Sequence, residues 1–232
     1  MDGFLLVNKP PDWTSHDVVA YIRKLTSARK VGHAGTLDPL ATGLLIIGIG
    51  RATKELGRIL GLEKEYEAVI RLGARSDTDD RTGRIETADV RRKTSEHDVR
   101  TALEKFVGAI EQLPPIYSAK KVGGKKMYEL ARRGIEPPRK PVRVIVHQIE
   151  MLSYQWPLAK IRARVSSGTY IRALARDIGE TLGVGGLLEE LVRTFIGPYS
   201  SKDAVNPRDL DRQTWTKRLI DLSTSCFFPA LL

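Results

Sequence analysis

The chain has 232 residues, enough for one large domain or for one domain with an appendage. Its 41% hydrophobic residues can build a core, its single cysteine excludes an intramolecular disulfide framework, and no apolar run reaches the roughly 20 residues of a membrane span. The net charge of +10 favours a polyanionic partner. The start of the chain lacks the basic region of a signal peptide, so we expect a cytoplasmic protein.

The first half of the chain mixes both kinds of element. A short strand at residues 4–7 precedes a helix in which Thr14 and Asp17 form a capping box. A second helix is predicted near residues 52–60. Alternation of apolar and polar residues over 64–72 then predicts a half-exposed strand.

The second half continues without a regular period. A polar loop at 75–84 leads to a helix at about 96–107, strands are predicted at 142–151 and 158–166, and Gly168 opens a further helix. Because no strand–helix–strand period repeats, the sequence predicts an α+β fold.

Residues 32–43 read GHAGTLDPLATG and hold one carboxylate, that of Asp38. Pro39 disfavours helical backbone at Asp38, and the flanking Gly35 and Gly43 let the chain bend sharply or approach a ligand. A lone acid on such a loop is typical of a nucleophile or a base. From the residues alone, an ordinary turn in which Asp38 caps the backbone stays an alternative.

A basic arm follows Pro114. Between Pro114 and Arg143 the chain carries nine lysines and arginines but only two acids, with Tyr117, Met127 and Tyr128 interleaved. Such an arm suits phosphate contacts and base stacking, although a charge run can also be only a solvated face.

Cofactor motifs are missing from the sequence. The acidic stretch at 77–83 lacks the glycine and glutamate of a calcium loop, and neither a P-loop nor a dinucleotide fingerprint is present. Four scattered histidines and one cysteine give no zinc spacing. We therefore expect no cofactor and no metal.

Taken together, these segments resemble the TruB family, the bacterial tRNA pseudouridine-55 synthases. The similarity extends from Phe4 to about Ser200, and the segments that carry it are residues 7–10, 32–43, 64–66, 71–79, 114–120, 124–132 and 167–172. The resemblance implies the pseudouridine synthase catalytic fold, a mixed and mostly antiparallel sheet flanked by helices with an inserted basic thumb. It also implies an isomerase that detaches a uracil from its ribose, turns it and reattaches it through carbon.

The resemblance implies roles for single residues as well. Asp38 matches the catalytic aspartate, Arg172 the arginine that pairs with it, and Tyr66 the active-site tyrosine. His33 matches the residue that fills the stack vacated by the flipped nucleotide. The other expected RNA-binding residues are Lys9, Lys64, Tyr117, Lys120, Lys125, Lys126 and Arg132. Without the resemblance, Arg172 would be read as a surface helix residue and Tyr66 as a half-buried strand tyrosine. For Lys9 and Lys64 the alternative is a solvated cation that contacts phosphate.

The thumb, at about 115–141, matches the family insertion that closes over the T-arm loop of tRNA. A complete thumb implies a stand-alone enzyme that needs neither a guide RNA nor a protein partner, and we expect a monomer. We expect residues 1–200 to form the catalytic domain. The 32 residues at 201–232 are too few for the usual C-terminal PUA domain, and we expect them to pack onto the catalytic domain as a tail.

Two other functions remain open from the sequence. A tRNA-folding protein with secondary catalysis would need the arm but not the set of Asp38, Tyr66 and Arg172. A hydrolase using Asp38 would need a second acid or a metal to activate water. Whether Asp38 attacks the ribose, attacks the base or removes a sugar proton also stays open.

Overall fold

The computed structural model describes residues 2–89, 93–117, 121–122, 125–126 and 139–221, with the backbone alone at 121–122 and 125–126. Within them the α-helices are α1 (Ser15–Thr26), α2 (Leu56–Gly61), α3 (Glu96–Glu104) and α4 (Ile171–Thr181). The strands are β1 (Gly3–Lys9), β2 (Val31–Ala34), β3 (Thr42–Ile49), β4 (Lys64–Leu72), β5 (Ala74–Ser76), β6 (Ile85–Thr87), β7 (Gly108–Gln112), β8 (Lys121–Val122), β9 (Lys125–Lys126), β10 (Val142–Gln155), β11 (Leu158–Val165), β12 (Gly186–Ile196), β13 (Tyr199–Ser200) and β14 (Ile220–Asp221). Single 3₁₀ turns lie at Gly50–Lys54, Ser201–Asp203, Pro207–Asp209 and Trp215–Arg218.

The chain divides into two compact units. The first comprises the described residues up to 66 and from 192 onward, and the second comprises those from 67 to 191. Both boundaries fall inside strands, β4 and β12, so each of these strands contributes residues to both units.

In the first unit, β3 is the central strand. β1 pairs with it antiparallel from Gly3↔Ile49 to Lys9↔Gly43, β2 pairs with it antiparallel, and the end of β12 pairs with it in parallel. Alternate residues of β3 face two hydrophobic clusters: Leu45 and Ile47 lie in one, Leu44 and Ile46 in the other. Because both faces of β3 are covered, its sequence is a continuous apolar run rather than an alternating one.

Helix α1 covers one of these faces. The predicted capping box is confirmed, since the Thr14 side chain accepts from Asp17 N and the Asp17 side chain accepts from Thr14 N. The apolar side of the helix packs Val18 and Ile22 against β1 and β3. The cap thus fixes where α1 begins, directly before the buried Ser15.

In the second unit the strand order is β4-β11-β10-β7, with β10 antiparallel to both of its neighbours. The alternation predicted for β4 is confirmed: Ala68, Ile70 and Leu72 are buried, and the residues between them are half-buried. Together with the first unit, this mixed and mostly antiparallel arrangement confirms the predicted α+β class.

Several predicted boundaries need correction. The helix expected at 52–60 is a 3₁₀ turn followed by α2, and the helix expected to reach residue 107 ends at Glu104. The loop expected at 75–84 begins inside β5, which pairs with β6. Strand β12 was not predicted at all, because its burial does not alternate and two glutamates interrupt its apolar residues.

The described residues after Ser200, at 201–221, pack against the rest of the first unit. Trp215 is buried in the same cluster as α1, Leu219 lies against it, and Ile220 begins β14, which pairs with β1. The last residues of the expected tail, 222–232, lie outside the described residues. Among the helices that the structure describes, none is long and apolar enough to cross a membrane.

Candidate active site

Asp38 lies on the loop that connects β2 to β3 in the first unit, and its side chain is half-buried. A turn follows it, in which Ala41 N donates to Asp38 O at 3.0 Å. The buried Ser15 holds the preceding residue from both sides: Leu37 N donates to Ser15 Oγ at 2.9 Å, and that hydroxyl donates to Leu37 O at 3.3 Å. The first turn of α1 therefore fixes the backbone that carries the carboxylate.

Two buried cations also hold this loop. Lys9, at the end of β1, donates from Nζ to the carbonyl oxygens of Pro39 at 3.1 Å, Pro10 at 2.9 Å and Trp13 at 2.5 Å. Arg193, on β12, donates from Nε to Leu44 O at 2.7 Å and from Nη2 to Gly35 O at 2.9 Å. Hydrogen bonds therefore hold the loop at its two ends, Gly35 and Leu44, and at Pro39, next to Asp38.

The interpretation of Lys9 and Lys64 as solvated cations is wrong. Lys9 is 0% exposed and Lys64 is 5% exposed, and Lys64 Nζ donates to Leu60 O and Leu62 O at the end of α2. Burial lowers the pKa of each amino group to about 8. Both amino groups donate hydrogen bonds to backbone carbonyl oxygens and so support the local fold. Their burial does not favour the phosphate contacts that were expected of Lys9 and Lys64.

Tyr66 lies on β4, and its side chain is buried at 8% exposure. It follows Glu65, whose carboxylate accepts a hydrogen bond from Thr194 Oγ1 at 2.7 Å. The residue before the tyrosine is therefore tied to another part of the first unit. The side chain is more buried than the half-buried strand tyrosine that the residues alone suggested.

His33 lies on β2, with its ring 5.6 Å from that of His16 in an edge-to-face arrangement. Burial, followed by repulsion from His16 and Arg193, lowers the pKa of His33 to about 4. The imidazole is therefore neutral at physiological pH. A neutral planar ring can stack on RNA bases without first losing a proton.

Arg172 lies in the first turn of α4 in the second unit and is 6% exposed, so its interpretation as a surface residue is wrong. Its guanidinium lies 3.6 Å from the buried Asp80 carboxylate, and Nη2 donates to Tyr117 O at 2.8 Å. Asp80 is itself fixed, since its Oδ1 accepts from Thr78 Oγ1 and from both N and Oγ1 of Thr82. The structure thus brings together two of the predicted site residues, Arg172 and Tyr117. The pairing of Arg172 with Asp38 stays a prediction.

One turn further along α4, Arg176 holds the same two segments. Its Nη1 donates to Asp79 Oδ2 at 2.8 Å and its Nη2 donates to Leu113 O at 3.1 Å. Burial raises the pKa of Asp79, opposed by the charges of Arg176 and Arg172. Gln112 adds two bonds to the backbone of Tyr170, with Nε2 donating to its O and Oε1 accepting from its N. These contacts anchor the chain that leads into the basic arm.

The structure describes little of the arm itself. Strands β8 and β9 form a short hairpin in which Lys121 pairs with Lys126 and Val122 with Lys125. Lys120 and Arg132, both expected to bind RNA, lie outside the described residues, and the expected roles of Lys125 and Lys126 stay predictions.

Two buried charged residues of these sites were missed by the sequence interpretation: Asp80 and Arg193. Asp80 was considered only as part of a rejected calcium loop, and Arg193 lies in the unpredicted strand. The signal that could have found Arg193 is a lone arginine among apolar residues of a strand.

Two sequence models of one family match the chain. The TruB family pseudouridylate synthase N-terminal domain matches residues 23–171, and the tRNA pseudouridylate synthase B C-terminal domain matches residues 172–224. The chain belongs to the TruB family. Membership in the TruB family confirms the resemblance drawn from the motifs.

Curated bacterial relatives are similar over most of their length. A tRNA pseudouridine synthase B from Nostoc sp. is 45% identical over 92% of this chain and 73% of the relative. One from Symbiobacterium thermophilum is 44% identical over 90% of this chain and 71% of the relative, and one from Thermobifida fusca is 42% identical over 97% and 80%.

Two solved structures share the fold of this chain. A chain from a Cbf5-Nop10-Gar1 complex superimposes with a TM-score of 0.73 at 31% identity, covering 94% of this chain and 57% of that one. A chain from an H/ACA RNP bound to a substrate RNA containing 2'-deoxyuridine gives 0.70 at 28%, covering 95% and 56%. This chain therefore spans a little more than half the length of those chains.

Proposed function

We propose that this TruB-family chain converts uridine-55 in the T-arm loop of tRNA to pseudouridine. In this isomerisation the bond between N1 of uracil and C1' of ribose breaks and a bond from C5 to C1' forms. C5 loses its proton and N1 gains one, so the atoms balance without a co-reactant. Relatives named tRNA pseudouridine synthase B, at 42–45% identity over at least 90% of this chain, support the substrate class.

The observation that carries the proposal is the fixed loop around Asp38. A half-buried carboxylate on a backbone bonded by Ser15, Lys9 and Arg193 can be held against a ribose or a base with little freedom. An ionised carboxylate in that position can act as nucleophile or as base. Nothing in a purely RNA-folding role requires an acid fixed in this way.

Two further residues complete the proposed chemistry. The Tyr66 ring would stack on the extracted base, with its hydroxyl near the proton that leaves C5. The Arg172 guanidinium would hold the Asp38 carboxylate in its charged form by opposite charge and hydrogen bonding. His33, neutral at physiological pH, would occupy the stack that the flipped uridine leaves, recovering part of its unstacking cost.

The basic arm would bind the T-arm loop directly by its phosphates and unstacked bases. On this basis we further propose a cytoplasmic monomer that acts without a guide RNA or a protein partner.

The test is the release of tritium from tRNA labelled at C5 of its uridines. We predict release near one equivalent per tRNA by the unaltered protein, and a loss of at least about 10³-fold in Asp38→Asn, because the amide keeps the shape but not the charge or the basicity. Binding of tRNA to this variant should persist.

Asp12→Asn is the matched control. Asp12 is an exposed acid near the same loop, its N donates to Pro39 O at 2.9 Å, and asparagine tolerates its positive φ of 64°. This variant should release tritium at the normal rate. Appreciable turnover by Asp38→Asn would refute the assignment of Asp38, whereas tight binding without release by the unaltered protein would favour the tRNA-folding alternative.

A further inference from the structure

Arg193 is a buried charge whose position needs an explanation. It is 1% exposed and is among the largest fully buried side chains of the described residues. Burying a guanidinium costs free energy unless its N–H groups are hydrogen-bonded, and an apolar side chain would fill the same space without that cost. What Arg193 provides is therefore its hydrogen-bond donors.

Those donors reach the two ends of one loop. Nη2 donates to Gly35 O at 2.9 Å and Nε donates to Leu44 O at 2.7 Å, while the segment between these residues carries Asp38. Gly35 has a φ of +83°, and Nη1 of Arg193 would lie 3.3 Å from a Cβ there. The guanidinium therefore lies directly against the bend at which the loop leaves β2.

The backbone of Arg193 fixes the same place. Arg193 pairs with Gly43 where β12 runs parallel to β3, and a Cβ on Gly43 would lie 2.3 Å from Arg193 O. Backbone and side chain of one residue thus meet the loop at three points: Gly35, Gly43 and Leu44. The contacts of Arg193 close the base of the loop that carries the carboxylate.

Three basic groups lie near Arg193. Burial lowers the pKa of Lys9, Lys64 and His33, and the charge of Arg193 lowers each further, although at Lys9 the carboxylates of Asp12, Asp38 and Asp17 oppose it. A cation that repels three neighbouring basic groups does not relieve their charge, so its place is explained by the carbonyl oxygens that it binds.

We infer that Arg193 is a positioning residue for the reaction, closing the Gly35–Leu44 loop so that Asp38 is held in its reactive geometry. The inference rests on the proposed function. The inference extends that proposal because it assigns a share of the catalytic rate to Arg193, a strand residue that need not touch RNA. A displacement of about 1 Å at a reacting group can cost 10²-fold in rate.

The test compares Arg193→Met and Arg193→Lys with the unaltered protein in single-turnover tritium release at saturating tRNA. Methionine keeps length but removes both bonds, and lysine keeps the charge and can restore one. We expect a loss of about 10²-fold for Arg193→Met, a smaller loss for Arg193→Lys, and tRNA affinity within about threefold of normal for both.

Ile196→Ala is the matched control for stability, because Ile196 lies on the same strand, is 0% exposed and packs in a hydrophobic cluster without bonding the loop. It should lower the thermal midpoint but keep the single-turnover rate. A normal single-turnover rate in Arg193→Met would overturn the positioning role. An equally large loss of rate in Ile196→Ala, at the same thermal midpoint as Arg193→Met, would also overturn it.

Amide hydrogen exchange separates this inference from the proposed function. The amides of residues 36–38, 40 and 41 should exchange faster in Arg193→Lys than in the unaltered protein, while those of β1 stay protected. If the unaltered protein modifies no tRNA but this change is seen, the function fails and the loop closure stands. Unchanged exchange at 36–41 would refute the closure itself.

Discussion

His33 shows at the residue scale how burial sets a charge state. Its Nδ1 is buried and has no hydrogen-bond partner among the described residues, and its pKa is about 4 against an ordinary 6.5. Between these two pH values the unfolded chain binds a proton that the folded protein does not. The free energy of unfolding therefore falls as the pH is lowered from 6.5 toward 4.

We predict that His33→Gln removes this part of the pH dependence. Urea unfolding at pH 7.5 and at pH 5 should show a larger loss of stability on acidification in the unaltered protein than in the variant. The same substitution at the exposed His97 should leave the loss unchanged. Equal losses in all three proteins would contradict a depressed pKa at His33.

Motifs identify the candidate site side chains but not how deeply those side chains are buried. Lys9 and Arg172 match family motifs, yet both are buried. One of the carbonyl oxygens that Lys9 binds, that of Pro39, and the Asp80 carboxylate that faces Arg172 come from other segments. A sequence shows the cation and not its partners. Burial of a charge therefore has to be read from the fold.

At the scale of elements, the contact of β3 with β12 depends on a missing side chain. Gly43 has a φ of +98°, and a Cβ there would lie 2.3 Å from Arg193 O and 2.7 Å from Arg193 N. Any substitution must both adopt a left-handed backbone and separate the two strands.

We predict that Gly43→Ala lowers the free energy of unfolding by about 3 kcal/mol or more, from strain plus the clash. Gly108→Ala is the matched control: its φ is +99°, but no atom outside its chain neighbours lies within 4 Å of a Cβ there. It should cost only the strain, about 1–2 kcal/mol. If chemical denaturation showed equal losses of unfolding free energy in Gly43→Ala and Gly108→Ala, the close approach of Gly43 to Arg193 would contribute nothing to stability.

Elements with a clear period were predictable, and elements buried on both faces were not. Strand β4 alternates and α1 has a capping box, so both were found from the sequence. Strand β12 was missed because Glu189 and Glu190 interrupt its apolar residues and because Arg193 is satisfied by partners about 150 residues earlier. Local patterns cannot report such distant contacts.

At the scale of the whole molecule, charge is concentrated rather than spread. The basic arm holds nine of the chain's 38 lysines and arginines in thirty residues, with only two acids. A polyanion that binds this arm releases counterions, so its affinity depends on salt.

We predict that Lys125→Gln together with Lys126→Gln weakens tRNA binding and makes the negative slope of log Kobs against log salt shallower by about 1.5, since each lost phosphate contact removes about 0.7–0.9 from its magnitude. The double change Lys202→Gln and Lys217→Gln, at exposed lysines outside the arm, removes the same charge and should leave the slope nearly unchanged. Equal slopes for both double variants would mean that the arm contributes only its share of net charge.

The two bonds of Arg193 also have a consequence for the order of synthesis. Its partners Gly35 and Leu44 precede it by 158 and 149 residues, so most of the chain must leave the ribosome before the loop can close. Contacts of such long sequence separation form late in folding. A growing chain carries Asp38, Tyr66 and the whole basic arm before Arg193 emerges, so the loop around Asp38 lacks both of these bonds until most of the chain has been made.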